Sequence, residues 1–256
     1  MPKGDEIPRD PLDAVRLWTY FVHARAGANP DYPLIQRVAV QKALRGRDFA
    51  ETVLSDVAYP TDVWREFGVL ASGRVNRQIT EGIVRDFLVR LRMERSANWI
   101  LFLKKKSPES AFEWLDDVRG VGEKLAAFVM RDLTTIFKVW TTRAVSGCSH
   151  LLQPVDRWVR FWANLLWFEG ALRGSSLSEM KSVTTHCQTE GVDPMAFNKG
   201  AWFVGAYMED LCDLFGLDEA CKLDYLGSLT TLDPDRVRRA IQEYARLLDE
   251  KEIVAV

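Results

Sequence analysis

Leu115-Asp-Asp-Val-Arg-Gly-Val-Gly-Glu-Lys-Leu-Ala-Ala-Phe-Val-Met-Arg131 is an apolar-periodic segment that breaks at Gly120-Val121-Gly122 and resumes at once. Helical spacing on both sides of the break predicts two helices joined by a tight turn. Glycine takes backbone angles that a side chain forbids and lets another backbone come close. A helix opening from such a turn has first-turn N–H groups without helical acceptors, so it can cradle an oxyanion such as a DNA phosphate without reading sequence. The same residues also suit a ligand-free turn that ends one helix and starts the next.

Working outward, helical periodicity extends over most of the chain, as in Ile83, Val84, Phe87, Leu88 and Leu91, and in Val237, Ile241, Tyr244, Leu247 and Leu248. An all-α fold follows. Tyr59-Pro60, Ser107-Pro108, Gln153-Pro154, Asp193-Pro194 and Asp233-Pro234 stand where one periodic segment gives way to the next, as helix starts require. No repeat, low-complexity tract or long polar linker occurs. The least regular stretch is Thr134 to Gln153.

The 256 residues, 47% hydrophobic, are enough for a real core in one or two compact domains. No apolar run reaches the roughly 18 residues of a membrane span, and the opening Met1-Pro2-Lys3-Gly4-Asp5-Glu6 lacks a signal-peptide core. The expected location is the cytoplasm, on the nucleoid. Cys148, Cys187, Cys212 and Cys221 form neither a disulfide framework nor a C-x-x-C zinc pair, so reduced thiols are expected. The net charge of −2 averages over a basic middle, with nine basic and three acidic residues from Ala71 to Lys106, and an acidic tail from Tyr207 onward. Such a chain can turn one face to a polyanion, although the same charges also make an ordinary solvated helix surface.

Pro154-Val155-Asp156-Arg157-Trp158-Val159-Arg160 is the second informative segment. Asp before an apolar-periodic stretch is a standard helix N-cap. Together with Gly120-Val121-Gly122-Glu123-Lys124, however, it resembles the helix-hairpin-helix DNA glycosylase superfamily of endonuclease III and the 8-oxoguanine glycosylases. That family's hairpin reads Gly-Val-Gly-x-Lys, and its later Pro-Val-Asp-x-x-Val-x-Arg sets an aspartate at a helix start beneath the scissile nucleoside. The hairpin alone also occurs in ligases and polymerases that only hold DNA. Phe197 to Gly205 is similar to the small-residue helix that follows the family aspartate.

The resemblance implies two helical subdomains with the active site in the cleft between them: a central one from 41 to 133 carrying the hairpin at 115–131, and a second from 1–40 with 134–256. It implies Lys124 and Asp156 as catalytic residues, and Arg119, Gly120, Val121, Gly122 and Arg160 as DNA contacts. The expected partner is double-stranded DNA with a damaged or modified base, bound by a monomer.

Breaking a C1′–N bond passes through an oxocarbenium-like transition state that a nearby carboxylate stabilises, the role implied for Asp156. A neutral lysine amine can attack C1′, form a Schiff base and lead to β-elimination, which requires desolvation or a cationic neighbour at Lys124. Relatives without that lysine use water, so Lys124 implies combined glycosylase and lyase action; its other role would be a phosphate contact. Extruding a base costs a few kcal/mol and needs a pocket. Trp158, Trp162 and Trp202, three of nine tryptophans, lie near the motifs, as pocket walls or as core.

The chain departs from endonuclease III in lacking its closely spaced cysteine ligands, so no iron–sulfur cluster and no other cofactor is expected, save a monovalent cation at the hairpin. The interval from Lys124 to Asp156 is 32 positions (156 minus 124), longer than in endonuclease III, and the extra residues contain Arg143, Cys148 and His150. A long link is similar to the archaeal, cluster-free type of 8-oxoguanine glycosylase, which makes 8-oxoguanine the leading base. Gln36, Gln41, Asn76 and Gln78 are of the type that fills the gap left by a flipped base, with no choice among them.

Overall fold

A computed structural model describes residues 7–23, 29–71 and 76–202. The readings at Arg74, Phe203, Val204, Gly205, Cys212, Cys221, Asp233-Pro234, the 237–248 periodicity, the acidic tail and the side chain of Arg77 lie outside the described residues. The described residues form helices and no strand, so the all-α reading holds for them. Backbone contacts divide the chain into two compact units, 1–154 and 155–256. The sequence-based halves, 41–133 against 1–40 with 134–256, draw the line elsewhere.

The first unit contains α1 (Pro11–His23), α2 (Tyr32–Leu44), α3 (Phe49–Ser55), α4 (Tyr59–Leu70), α5 (Arg77–Glu81), a π-helical turn (Gly82–Asp86), α6 (Phe87–Met93), α7 (Trp99–Leu103), α8 (Pro108–Asp116) and α9 (Gly122–Thr135). α10 (Thr142–Val145) and a 3₁₀ stretch (Ser146–Leu152) complete it. Side-chain caps start many of these helices: Asp48, Asn76, Asn98, Ser107 and Thr141 each accept a backbone N–H from the first turn. Pro60 and Pro108 occupy the opening positions of α4 and α8, where a missing N–H costs nothing.

Three rings tie α1 to the middle of the chain. Trp18 stacks on Phe87 with centroids 3.9 Å apart and meets Trp99 edge-on at 5.5 Å. Its indole N–H donates to the Ile83 carbonyl inside the π turn (3.0 Å), and the Trp99 indole donates to the Ala14 carbonyl (2.6 Å). Both indoles are fully buried with their polar atom satisfied, so each contributes its large apolar area without a desolvation penalty. Asn98 adds a long-range tie, donating to the Pro8 carbonyl at 2.7 Å.

In the second unit α11 (Arg157–Ala163) runs into another π-helical turn (Asn164–Phe168), followed by α12 (Leu177–Thr189) and a helix from 194 to the end of the described residues. Glu169 (φ 48°) and Gly170 (φ 86°) reverse the chain after the π turn. Asn164 clamps that reversal with two 2.9 Å bonds, one donated to the Leu172 carbonyl and one accepted from its N–H. Ser176 and Glu179 form a capping box on α12, and the Glu179 carboxylate also accepts from the Arg173 and Gly174 amides. Asp193 accepts from the Ala196 N–H (2.7 Å), a cap before Pro194.

Candidate functional site

α8 and α9 pack on each other and are joined by five residues, Asp117 to Val121. Two amides of this turn are used internally: Val118 donates to the Leu115 carbonyl and Val121 to that of Val118. Gly120 (φ 89°) and Gly122 (φ 63°) take left-handed backbone, while Val121 between them is buried. The start of α9 has no side-chain cap, and the N–H groups of Gly122 and Lys124 find no acceptor among the described residues. Uncapped amides at the positive end of a 14-residue helix are what an oxyanion needs. Lys124, the third residue of α9, is half-buried.

The glycines have different reasons to be there. A Cβ on Gly120 would strike the Ile79 carbonyl oxygen, and one on Gly82 would strike the carbonyl of Arg119, whereas Gly122 faces open space. The turn is thus held backbone to backbone against α5 and the π turn, and only Gly122 is required solely by its torsion angle. Gln78 and Asn76, two of the four gap-filling candidates, stand exposed beside this contact, with Asn76 also capping α5. Gln41 is exposed on α2. Gln36 is fully buried, its Oε1 accepting from His23 Nε2 at 2.7 Å.

Arg119 is exposed but committed. Its Nε donates to Asp86 Oδ2 (2.8 Å) and its Nη2 lies 3.3 Å from Glu81 Oε2. Both carboxylates also hold Arg85. Burial lowers the Arg119 guanidinium, but the hydrogen bonds and negative charge of Asp86 and Glu81 together outweigh it and hold the group above its ordinary range. Arg90 donates to Asp117 (2.9 Å) and lies over the Trp114 ring. Asp116 closes α8 half-buried, and desolvation, then Glu123, then Asp117 push its carboxyl above the usual range. The surroundings of the turn are therefore mixed in charge, and any preference for phosphate comes from directed N–H groups rather than from a bare basic patch.

Asp156 is the N-cap of α11. Its Oδ1 accepts from the N–H groups of both Trp158 and Val159 at 2.9 Å, and Oδ2 has no hydrogen bond among the described residues. The side chain is half-buried. One oxygen thus does the capping and the other is left over. Arg160 donates to the Arg173 carbonyl at 3.0 Å. Trp158 is buried, with the Arg157 guanidinium over its ring at 4.7 Å, while Trp162 is half-buried and Trp202 exposed. The first unit therefore gathers Arg119, Gly120, Val121, Gly122 and Lys124, and the second holds Asp156 and Arg160.

The irregular stretch 134–153 folds as the end of α9, α10 and the 3₁₀ segment, packed on α8 and α9. The Trp140 indole donates to the Lys106 carbonyl (3.1 Å). Cys148 is buried, and desolvation, with the Glu109 carboxylate beside it, pushes its thiol up to about 11. His150 lies near the same carboxylate. The acid pair Glu81 and Asp86 and the contact glycine Gly82 are the neighbours of the turn that the sequence did not announce. Compared with known proteins, the chain matches no protein-family model, and no curated protein and no solved structure matches it.

Proposed function

We propose that the chain is a DNA base-excision glycosylase of the helix-hairpin-helix type with a lysine-based lyase step, acting on duplex DNA that carries a damaged or modified base. One observation carries this reading: a glycine turn with two left-handed residues opens α9 without a cap and sets Lys124, half-buried, in its first turn. The Asp156 cap with a spare oxygen supports it, because a carboxylate fixed by two N–H bonds can still present Oδ2 to a developing oxocarbenium ion. In this reading Lys124 is the nucleophile and Asp156 the stabilising carboxylate. No cofactor enters the proposed chemistry.

The amine of Lys124 attacks C1′ as the C1′–N bond breaks, and the base leaves with a proton from that amine. The sugar ring opens with a proton taken up on O4′, and the resulting Schiff base loses its C2′ proton to solvent and the 3′ phosphate by β-elimination. The leading base is 8-oxoguanine. A DNA-holding protein without chemistry would share the capped aspartate, and a monofunctional enzyme would use Lys124 on phosphate. Duplexes carrying 8-oxoguanine, uracil or thymine glycol, incubated with the protein and analysed with and without alkali, separate these readings: breaks without alkali mark the lyase step, and breaks that need alkali mark a monofunctional enzyme. Strand breaks on one duplex that disappear with Asp156→Asn support the glycosylase. Binding without breaks on any duplex favours the DNA-holding protein.

A further inference from the structure

A second positive surface in the first unit lies away from the glycine turn, at the far end of α9. Lys104, Lys105 and Lys106 follow α7, the first two exposed. Lys106 is half-buried with its ammonium 4.6 Å from the centre of the Phe102 ring. The segment after α9 is joined to this turn by the indole of Trp140, which donates to the Lys106 carbonyl. Lys138, two residues earlier, is exposed at φ 51° and its Nζ caps α9 by donating to the Thr135 carbonyl at 2.7 Å. Arg143, three residues later, is exposed on α10.

The sequence contains no acid between Glu94 and Glu109 and none between Asp132 and Asp156. Lys104, Lys105 and Arg143 form no ion pair among the described residues. This is the reverse of the arginines around the turn, where Arg85, Arg90 and Arg119 are all held by carboxylates. Glu109, the next acid along the chain, is exposed, and its carboxylate is engaged by its own backbone N–H, Ser107 and Cys148, with His150 beside it. Unpaired cations held at neighbouring backbone positions repel one another, so their natural complement is a regularly spaced polyanion.

We propose that the Lys104–Lys106 turn and the segment around Lys138 and Arg143 form a second phosphate-contacting surface for duplex DNA, at the opposite end of α9 from the glycine turn. The inference rests on the DNA reading above. α9 has 14 residues and is about 20 Å long, which equals about six base pairs of duplex. Both ends of the helix can therefore serve one footprint, the glycine turn through N–H groups and the far end through side-chain charge. This gives the 134–153 stretch a role: it brings Lys138 and Arg143 to the lysine turn.

Binding of the full chain to an undamaged duplex is measured by fluorescence anisotropy at a series of salt concentrations. Each phosphate contact contributes about 0.9 to the slope of log K against log salt. The triple variant Lys104→Ala/Lys105→Ala/Arg143→Ala is expected to lose roughly 2 to 3 from that slope, with an unchanged melting temperature because all three side chains are exposed. The control Lys42→Ala/Arg65→Ala/Lys181→Ala removes the same charge elsewhere and is expected to keep the wild-type slope. A triple variant with the wild-type slope, or a control that loses as much, overturns the second surface and leaves the DNA reading standing. A wild-type protein that binds no duplex at low salt overturns both.

Discussion

Gly82 and Arg119 meet backbone to backbone: the space where a Cβ of Gly82 would stand is filled by the Arg119 carbonyl. The reciprocal contact is Gly120 on the carbonyl of Ile79. Two glycines, one in a helix and one in a turn, thus lock the α8–α9 connection onto the helix that runs from α5 through the π turn. Gly82→Ala and Gly120→Ala must push backbone aside, and each is expected to cost about 2 kcal/mol or more. Gly122→Ala meets nothing and pays only its left-handed torsion, about 1 kcal/mol. Urea unfolding of the three variants gives the ranking.

Asp156 can be separated into its two roles. Asparagine caps about as well as aspartate, so Asp156→Asn is expected to keep stability within a few tenths of a kcal/mol while base excision is lost. Asp156→Ala should lose excision and also about 1 kcal/mol, because the N–H groups of Trp158 and Val159 lose their acceptor. Excision intact in Asp156→Asn, with stability lost only in Asp156→Ala, would reduce the residue to a cap.

His23 sets an acid limit on stability. Burial holds its imidazole down to about 4, against an ordinary value of 6.5, with the bond to Gln36 opposing. The folded state therefore binds fewer protons than the unfolded chain between these values. The contribution of neutral His23 is complete above about pH 6.5 and falls by about 1.4 kcal/mol per pH unit as the pH drops toward 4, roughly 3 kcal/mol in all. Replacing the pair by His23→Phe/Gln36→Leu removes the titrating group and leaves no polar partner stranded, so the pH slope of unfolding free energy should flatten in that window. The ring stacks on Phe67, which gives a phenyl replacement its place.

Cys148 and Cys187 should be inert in the folded protein. Burial raises their thiols to about 11 and about 12, leaving almost no thiolate at neutral pH. Mass-spectrometric mapping after treatment with an alkylating reagent is expected to find both unlabelled in the native state and both labelled in denaturant.

The helices were legible because their signals are local. Apolar periodicity marks the segments, and the boundaries at Ser107-Pro108 and Asp193-Pro194 are helix starts, with Ser107 and Asp193 as the caps. The turn at Gly120-Val121-Gly122 was equally plain. The acid pair that holds Arg119 was not, and the reason is geometric. Glu81 and Asp86 are five residues apart, which places them on different faces of a regular α-helix, but the π turn at Gly82–Asp86 adds a residue to the local repeat and brings both onto one guanidinium. Likewise, 134–153 has no strong period, because α10 and a 3₁₀ segment are too short to show one. Its fixed points, Trp140 on Lys106 and Cys148 beside Glu109, are tertiary contacts that no spacing reveals.

The central claim, that Lys124 is a nucleophile, is tested most directly by covalent trapping. The protein is incubated with duplex DNA carrying 8-oxoguanine or an abasic site in the presence of borohydride, which reduces a Schiff base to a stable amine. A protein–DNA band that forms with the wild type and with Lys124→Arg is absent would establish the attacking amine. A band that persists in Lys124→Arg, or wild-type excision with no band on either duplex, would contradict it and leave Lys124 a phosphate contact.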